Sequence, residues 1–76
     1  MKNKIAQRRK QRFLRQEELA KMVGILPSYL SRIESGKFNP SIKLAMKIAI
    51  ALKTSVGRLW ELDDEEMAVL DKSNRA

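Results

Sequence analysis

The chain has no cysteine and no histidine among its 76 residues. Without thiols, neither a disulfide nor a thiolate metal centre can hold the fold. Without imidazole, the commonest general base and the commonest metal ligand are missing together. There is no glycine-rich phosphate loop and no carboxylate pair at a fixed spacing, so neither an enzyme nor a cofactor, metal or small-molecule ligand is expected. No window approaches the ~20 apolar residues of a membrane span. The basic start, MKNKIAQRRKQRF, lacks the apolar run of a signal peptide. The expectation is a soluble, cytoplasmic protein with no membrane partner.

What is present is positive charge, unevenly spread. The whole chain carries a net +7. Residues 1–60 hold fourteen Lys/Arg against three Asp/Glu, a net +11, whereas residues 61–76 hold two against six, a net −4. The basic part expects a polyanion, nucleic acid before an anionic membrane. A chain of this size makes one domain and buries only about 60% of its unfolded surface. Packing between helices must therefore supply the stability, helped by a second subunit where one binds.

Five helices are predicted, with no β-alternation and no repeat. The first spans roughly Lys2 to Arg12, with Ile5 and Arg9 on one face. The second runs from Gln16 to Val23. Its Glu17 and Glu18 suit the helix dipole, Leu19, Ala20 and Val23 form its inner stripe, and Gly24 stops it. The third starts at Pro27, whose missing N–H costs nothing at a first helical position, and stops at Ser35–Gly36. The fourth, from about Ser41 to Leu52, is apolar except for Lys43 and Lys47. The fifth starts after Ser55, a suitable N-cap, and carries Val56, Leu59 and Trp60. Two short helices around one glycine turn, Gln16 to Gly36, have the form of a helix-turn-helix.

At about 100° per residue the third helix divides cleanly. With Leu30 at zero, Ile33 and the preceding Leu26 fall within about 60° of it and face the core, while Ser28, Ser31, Arg32 and Ser35 fall at about 100–200° and face out. Small hydroxyls let a helix backbone approach a groove floor, and an arginine can take two acceptors of a guanine edge. Tyr29 lies on the flank. Glu34 falls at about 40°, near the core, where a carboxylate needs a partner. Arg9, on the inner face of the first helix, is the expected one.

Taken together these residues resemble the phage-repressor and Cro type of helix-turn-helix domain, including the compact regulators that control restriction–modification systems. The resemblance is carried by Gln16, Leu19, Ala20, Val23, Gly24, Ile25, Leu30, Ile33, Glu34, Gly36, the Asn39–Pro40–Ser41 run and Leu59–Trp60, and covers about residues 2–62. It implies an all-α, compact five-helix bundle, lambda-repressor-like, that binds operator DNA as a dimer. It also implies an Arg–Glu pair at Arg9 and Glu34. Residue by residue, it implies that Gln16 donates to a phosphate, that Pro27, Ser28 and Arg32 meet base edges, and that Lys37 and Asn39 follow the DNA backbone. Proline at 27 leaves only apolar contact there, so Ser28 and Arg32 carry most of the direct readout, with Tyr29 and Ser31 as neighbours. Phe13 and Arg15 replace the family's usual glycine and Ser/Thr, Leu26 its usual cap and Lys53 another glycine. Arg15 offsets its lost cap by reaching a phosphate.

The expected organisation is a DNA-binding domain over 1–62 and an acidic tail over 63–76, the latter an extra helical turn with Met67 and Leu70 or a dimer contact. The apolar surplus of the fourth helix needs a cover, either that tail or a second subunit. A homodimer using Met46, Ile50 and Val56 is preferred, because such dimers read two half-sites about 34 Å apart. The functional expectation is a sequence-specific regulator of transcription on a double-stranded, palindromic operator. The alternative is a protein-interaction adaptor or antitoxin-type module on the same fold. A basic RNA-binding protein fits less well, since single-strand readers use several exposed aromatics. The basic run Arg8–Arg9–Lys10–Arg12 reads mostly as a solvated face, and the acidic run Asp63–Glu66 as charge balance rather than a cation site.

Overall fold

The computed structural model describes residues 3–60, and these form five helices and no strand. They are α1 (Ile5–Gln11), α2 (Gln16–Val23), α3 (Pro27–Glu34), α4 (Ile42–Ala51) and α5 (Val56–Leu59). The acidic tail, with the turn expected at Met67 and Leu70, lies outside the described residues, as does the expected start of α1 at Lys2. α2 is the hub, packed against α1, α3 and α4, and α5 closes the bundle on α4.

Each inward stripe supplies a full-length side chain to one core. Ile5, Leu19, Leu30, Ile33, Ile48, Leu52 and Leu59 are completely buried or nearly so. Ala20 and Ala49 are buried among them. A methyl group at these positions keeps side-chain bulk out of the way where helices meet. Among the described residues no polar or charged residue falls in the buried class.

α1 starts later than its composition suggests, and the reason is long-range. The Lys4 N–H donates to the Leu59 carbonyl at 2.8 Å, which ties the front of α1 to α5. Asn3 does two jobs. Its Oδ1 accepts from the Ile5 N–H at 3.1 Å, satisfying one orphan donor of the helix start, and its Nδ2 donates to the Ile33 carbonyl at 2.7 Å. The caps of α4 and α5 are local: Ser41 Oγ accepts from the Leu44 N–H and Ser55 Oγ from the Arg58 N–H. α2 and α3 have no such hydroxyl. At α2 only half of a capping box forms, with Glu18 Oε1 accepting from the Arg15 N–H at 2.8 Å. At α3, Pro27 removes one orphan donor outright.

The first four helices end the same way. The chain after each turns through a left-handed residue: Phe13 (φ 56°), Gly24 (φ 77°), Gly36 (φ 80°) and Lys53 (φ 54°). In every case the next N–H reaches back five residues. Leu14 donates to Arg9, Ile25 to Ala20, Lys37 to Arg32 and Thr54 to Ala49. This closure satisfies otherwise orphaned carbonyls. Glycine accepts the conformation freely, whereas phenylalanine and lysine hold it against a steric cost of about 1 kcal/mol each.

Candidate nucleic-acid interface

The outer face of α3 is set by what the inner face buries. With Leu30 and Ile33 fully enclosed, Pro27, Ser28, Ser31 and Arg32 stand exposed together on the opposite side. None of these four side chains is drawn into an ion pair or a side-chain hydrogen bond that would turn it away, among the interactions resolved in the structure. Ser35 departs from them: its Oγ donates to the Arg32 carbonyl at 3.0 Å and so serves the helix end. Leu26, expected on the core side, is 71% exposed instead, because as the N-cap it has extended backbone and lies off the helical wheel.

Beyond α3 the chain doubles back on itself. The Lys37 and Phe38 N–H groups both donate to the Arg32 carbonyl, at 3.1 and 3.3 Å. The Phe38 ring meets Tyr29 edge-on with centroids 5.1 Å apart. Two backbone bonds and one ring contact therefore hold the 37–39 loop beside α3, with the side chains of Lys37 and Asn39 exposed. Tyr29 is half-buried and packed against the core, so its ring is a brace more than a free contact. Phe38 is not among the DNA-contacting residues expected from the sequence. Its only sequence signal is its place between Lys37 and Asn39.

Three helices meet in one charged joint. Arg9 Nε donates to Glu34 Oε2 at 2.9 Å and Arg9 Nη2 to Glu34 Oε1 at 3.2 Å, a two-pronged pair with side chains only 11% and 7% exposed. A third arginine donor, Nη1, bonds the Leu14 carbonyl at 2.9 Å. Gln16, expected to point its amide at a phosphate, is half-buried and donates Nε2 to Glu34 Oε1 at 3.2 Å. The carboxylate lies within reach and is a stronger acceptor than water. One Gln16 N–H remains for another acceptor. Arg15 is 80% exposed and lies 3.9 Å from Glu17, a surface pair too loose and too wet to hold it.

The expected dimer residues divide. Ile42, Met46 and Ile50 repeat at every fourth position of α4 and are 79%, 54% and 73% exposed. Met22 from α2 is exposed as well, and it lines with Ile50 a shallow hollow between the two helices. Val56 does not join them. It is half-buried against the core, because α5 turns that side toward the bundle. Among the described residues there is no group of side chains able to hold a metal ion, and no helix is long and apolar enough to cross a membrane.

Comparison with known proteins gives this arrangement a context. The family described as Helix-turn-helix matches residues 5–59. An uncharacterized HTH-type transcriptional regulator of Archaeoglobus fulgidus is 40% identical over 67 residues, 88% of this chain and 96% of its own length. Among solved structures, a complex of the SinR and SinI proteins superposes with a TM-score of 0.70 at 35% identity, covering 91% of this chain and 73% of that one. The biofilm master regulator SinR in complex with DNA superposes with a TM-score of 0.63 at 42% identity, covering 68% of this chain and 84% of that one. The chain belongs to the helix-turn-helix family of transcriptional regulators.

Proposed function

We propose that this helix-turn-helix protein regulates transcription by laying α3 in the major groove of a palindromic operator, as a homodimer. The observation that carries the reading is the exposed face of Pro27, Ser28, Ser31 and Arg32, backed by Leu30 and Ile33 in the core. Ser28 and Arg32 read base edges, Arg32 with its two-donor fork on a guanine. Tyr29 and Ser31 adjoin them. Arg15 and the remaining Gln16 N–H reach phosphates where α2 crosses the backbone, and Lys37 and Asn39 do so beyond α3. The net +11 of residues 1–60 draws the protein to any duplex before sequence is read. Ile42, Met46 and Ile50 form the dimer contact in this reading: exposed Ile42 joins the expected Met46 and Ile50, and half-buried Val56 is left out. The structure of SinR with DNA, a relative at 42% identity, supports the reading.

In-vitro selection on random duplexes tests it. A two-fold symmetric motif bound far more tightly than random DNA is the expected result. Equal retention of every duplex overturns it. A second reading, docking of a partner protein, draws on the apolar α4 stripe and on the SinR–SinI complex. It predicts capture of a partner that survives nuclease treatment, with no selected motif.

A further inference from the structure

Phe13 carries three unfavourable features at once. It is aromatic, 94% exposed and left-handed at φ 56°. A fully exposed phenylalanine gains nothing from burial, and a positive φ costs a residue with a Cβ more than it costs glycine. Among the described residues nothing offsets this. Phe13 belongs to no core cluster, and the Phe13 and Leu14 backbone bonds to Lys10 and Arg9 would form equally well with glycine there. Its surroundings are not neutral. It sits between exposed Arg12 and exposed Arg15, three residues before Gln16 and the amino end of α2. In a helix-turn-helix docked on a duplex, the first helix of the motif crosses the sugar–phosphate backbone, so the loop leading into it lies along that backbone.

We propose that Phe13 is a DNA-contacting side chain, laid against the deoxyribose next to the phosphate that Arg15 and Gln16 reach. The cations neutralise phosphate, and the ring covers the apolar sugar edge between phosphates. Such a contact adds affinity without reading sequence. The left-handed backbone throws the ring outward where a helical residue would fold it back along α1. The inference rests on the DNA-reading function proposed above.

The test is Phe13→Gly in the full chain, with thermal unfolding, duplex binding across a salt series and sedimentation without DNA measured together. The expected result is a split: the melting midpoint rises because strain is relieved, while binding weakens about five- to tenfold, the worth of partly burying an aromatic ring. The loss is the same on the selected and on random duplexes, and the salt slope is unchanged because no cation was removed. Phe13→Leu, which keeps an apolar side chain, recovers part of the affinity. Unchanged binding of a stabilised Phe13→Gly protein overturns the proposal. So does a change in salt slope, or a shift in the monomer–dimer balance without DNA, which would place the ring in a protein contact. If the parent chain binds no duplex selectively, it is the DNA-reading function that fails. If the parent binds and Phe13→Gly binds as tightly, the failure belongs to Phe13 alone.

Discussion

Replacing Glu34 by alanine should be among the most damaging single changes available in this fold. The carboxylate accepts three hydrogen bonds, two from Arg9 and one from Gln16, at 2.9–3.2 Å. Both charged side chains are nearly enclosed, at 11% and 7% exposure. Without Glu34 the Arg9 guanidinium keeps a single protein acceptor, the Leu14 carbonyl. Stranding one member of a buried pair costs about 3–5 kcal/mol, whereas a domain of this size has about 5–10 kcal/mol in all. At about 4–8 °C per kcal/mol, the midpoint should fall by at least about 12 °C. Helical circular dichroism followed on heating measures that fall, and a urea series gives the free energies. The double variant Arg9→Met with Glu34→Leu removes both charges and should lie within about 2 kcal/mol of the parent, above either single variant, the residue of the loss coming from the Leu14 carbonyl and the Gln16 amide, each without its partner. A coupling energy of at least about 2 kcal/mol is the expected signature. Single variants each costing under about 1 kcal/mol and adding in the double would refute the reasoning and make the pair an ordinary surface contact.

Other outcomes follow from the same geometry. Arg32→Ala should cost about 1–3 kcal/mol of binding on the selected operator and little on random duplexes, read by competition gel shifts; Lys37→Ala should weaken all duplexes alike and reduce the salt slope by about one. Gly24→Ala meets no heavy atom within 4 Å, so its cost, about 1 kcal/mol in a denaturant titration, comes from the φ of 77° alone. Lys53→Gly acts the other way: relief of strain outweighs the entropy of an added glycine by about 0.5 kcal/mol, seen as a higher urea midpoint. Ile50→Lys places a charge in the exposed α4 stripe; sedimentation should show the monomer favoured while the circular dichroism of the folded chain is kept.

The local frame of α2 and α3 is legible in the sequence because local chemistry sets it. Gly24, Pro27 and Gly36 punctuate, and a 3.6-residue period sorts Leu30 and Ile33 from Ser28, Ser31 and Arg32. The joining of Glu34 to Arg9 could be reasoned from helical phase, since a carboxylate turned toward a core needs a cation. Contacts that depend on distant chain could not be reasoned so. Asn3 on the Ile33 carbonyl spans thirty residues. Gln16 bonds Glu34 because α2 and α3 cross where they do, and no periodicity encodes that crossing. Phe38 meets Tyr29 only after the loop folds back on the Arg32 carbonyl. The left-handed turns at Phe13 and Lys53 are announced by neither residue itself; only the resemblance, whose usual glycines these two replace, points to them.

The bond from the Lys4 N–H to the Leu59 carbonyl gives the bundle the topology of a clasped bracelet. Its clasp lies far along the chain from the segment that carries Ser28 and Arg32. Opening the bracelet elsewhere, between α3 and α4 for example, and splicing residue 4 to residue 59 through a short bridge would reorder the chain with little new loop entropy. Such a permuted protein would keep the α2–α3 segment unbroken, separating the rigidity of the reading surface from the order in which its helices are synthesised.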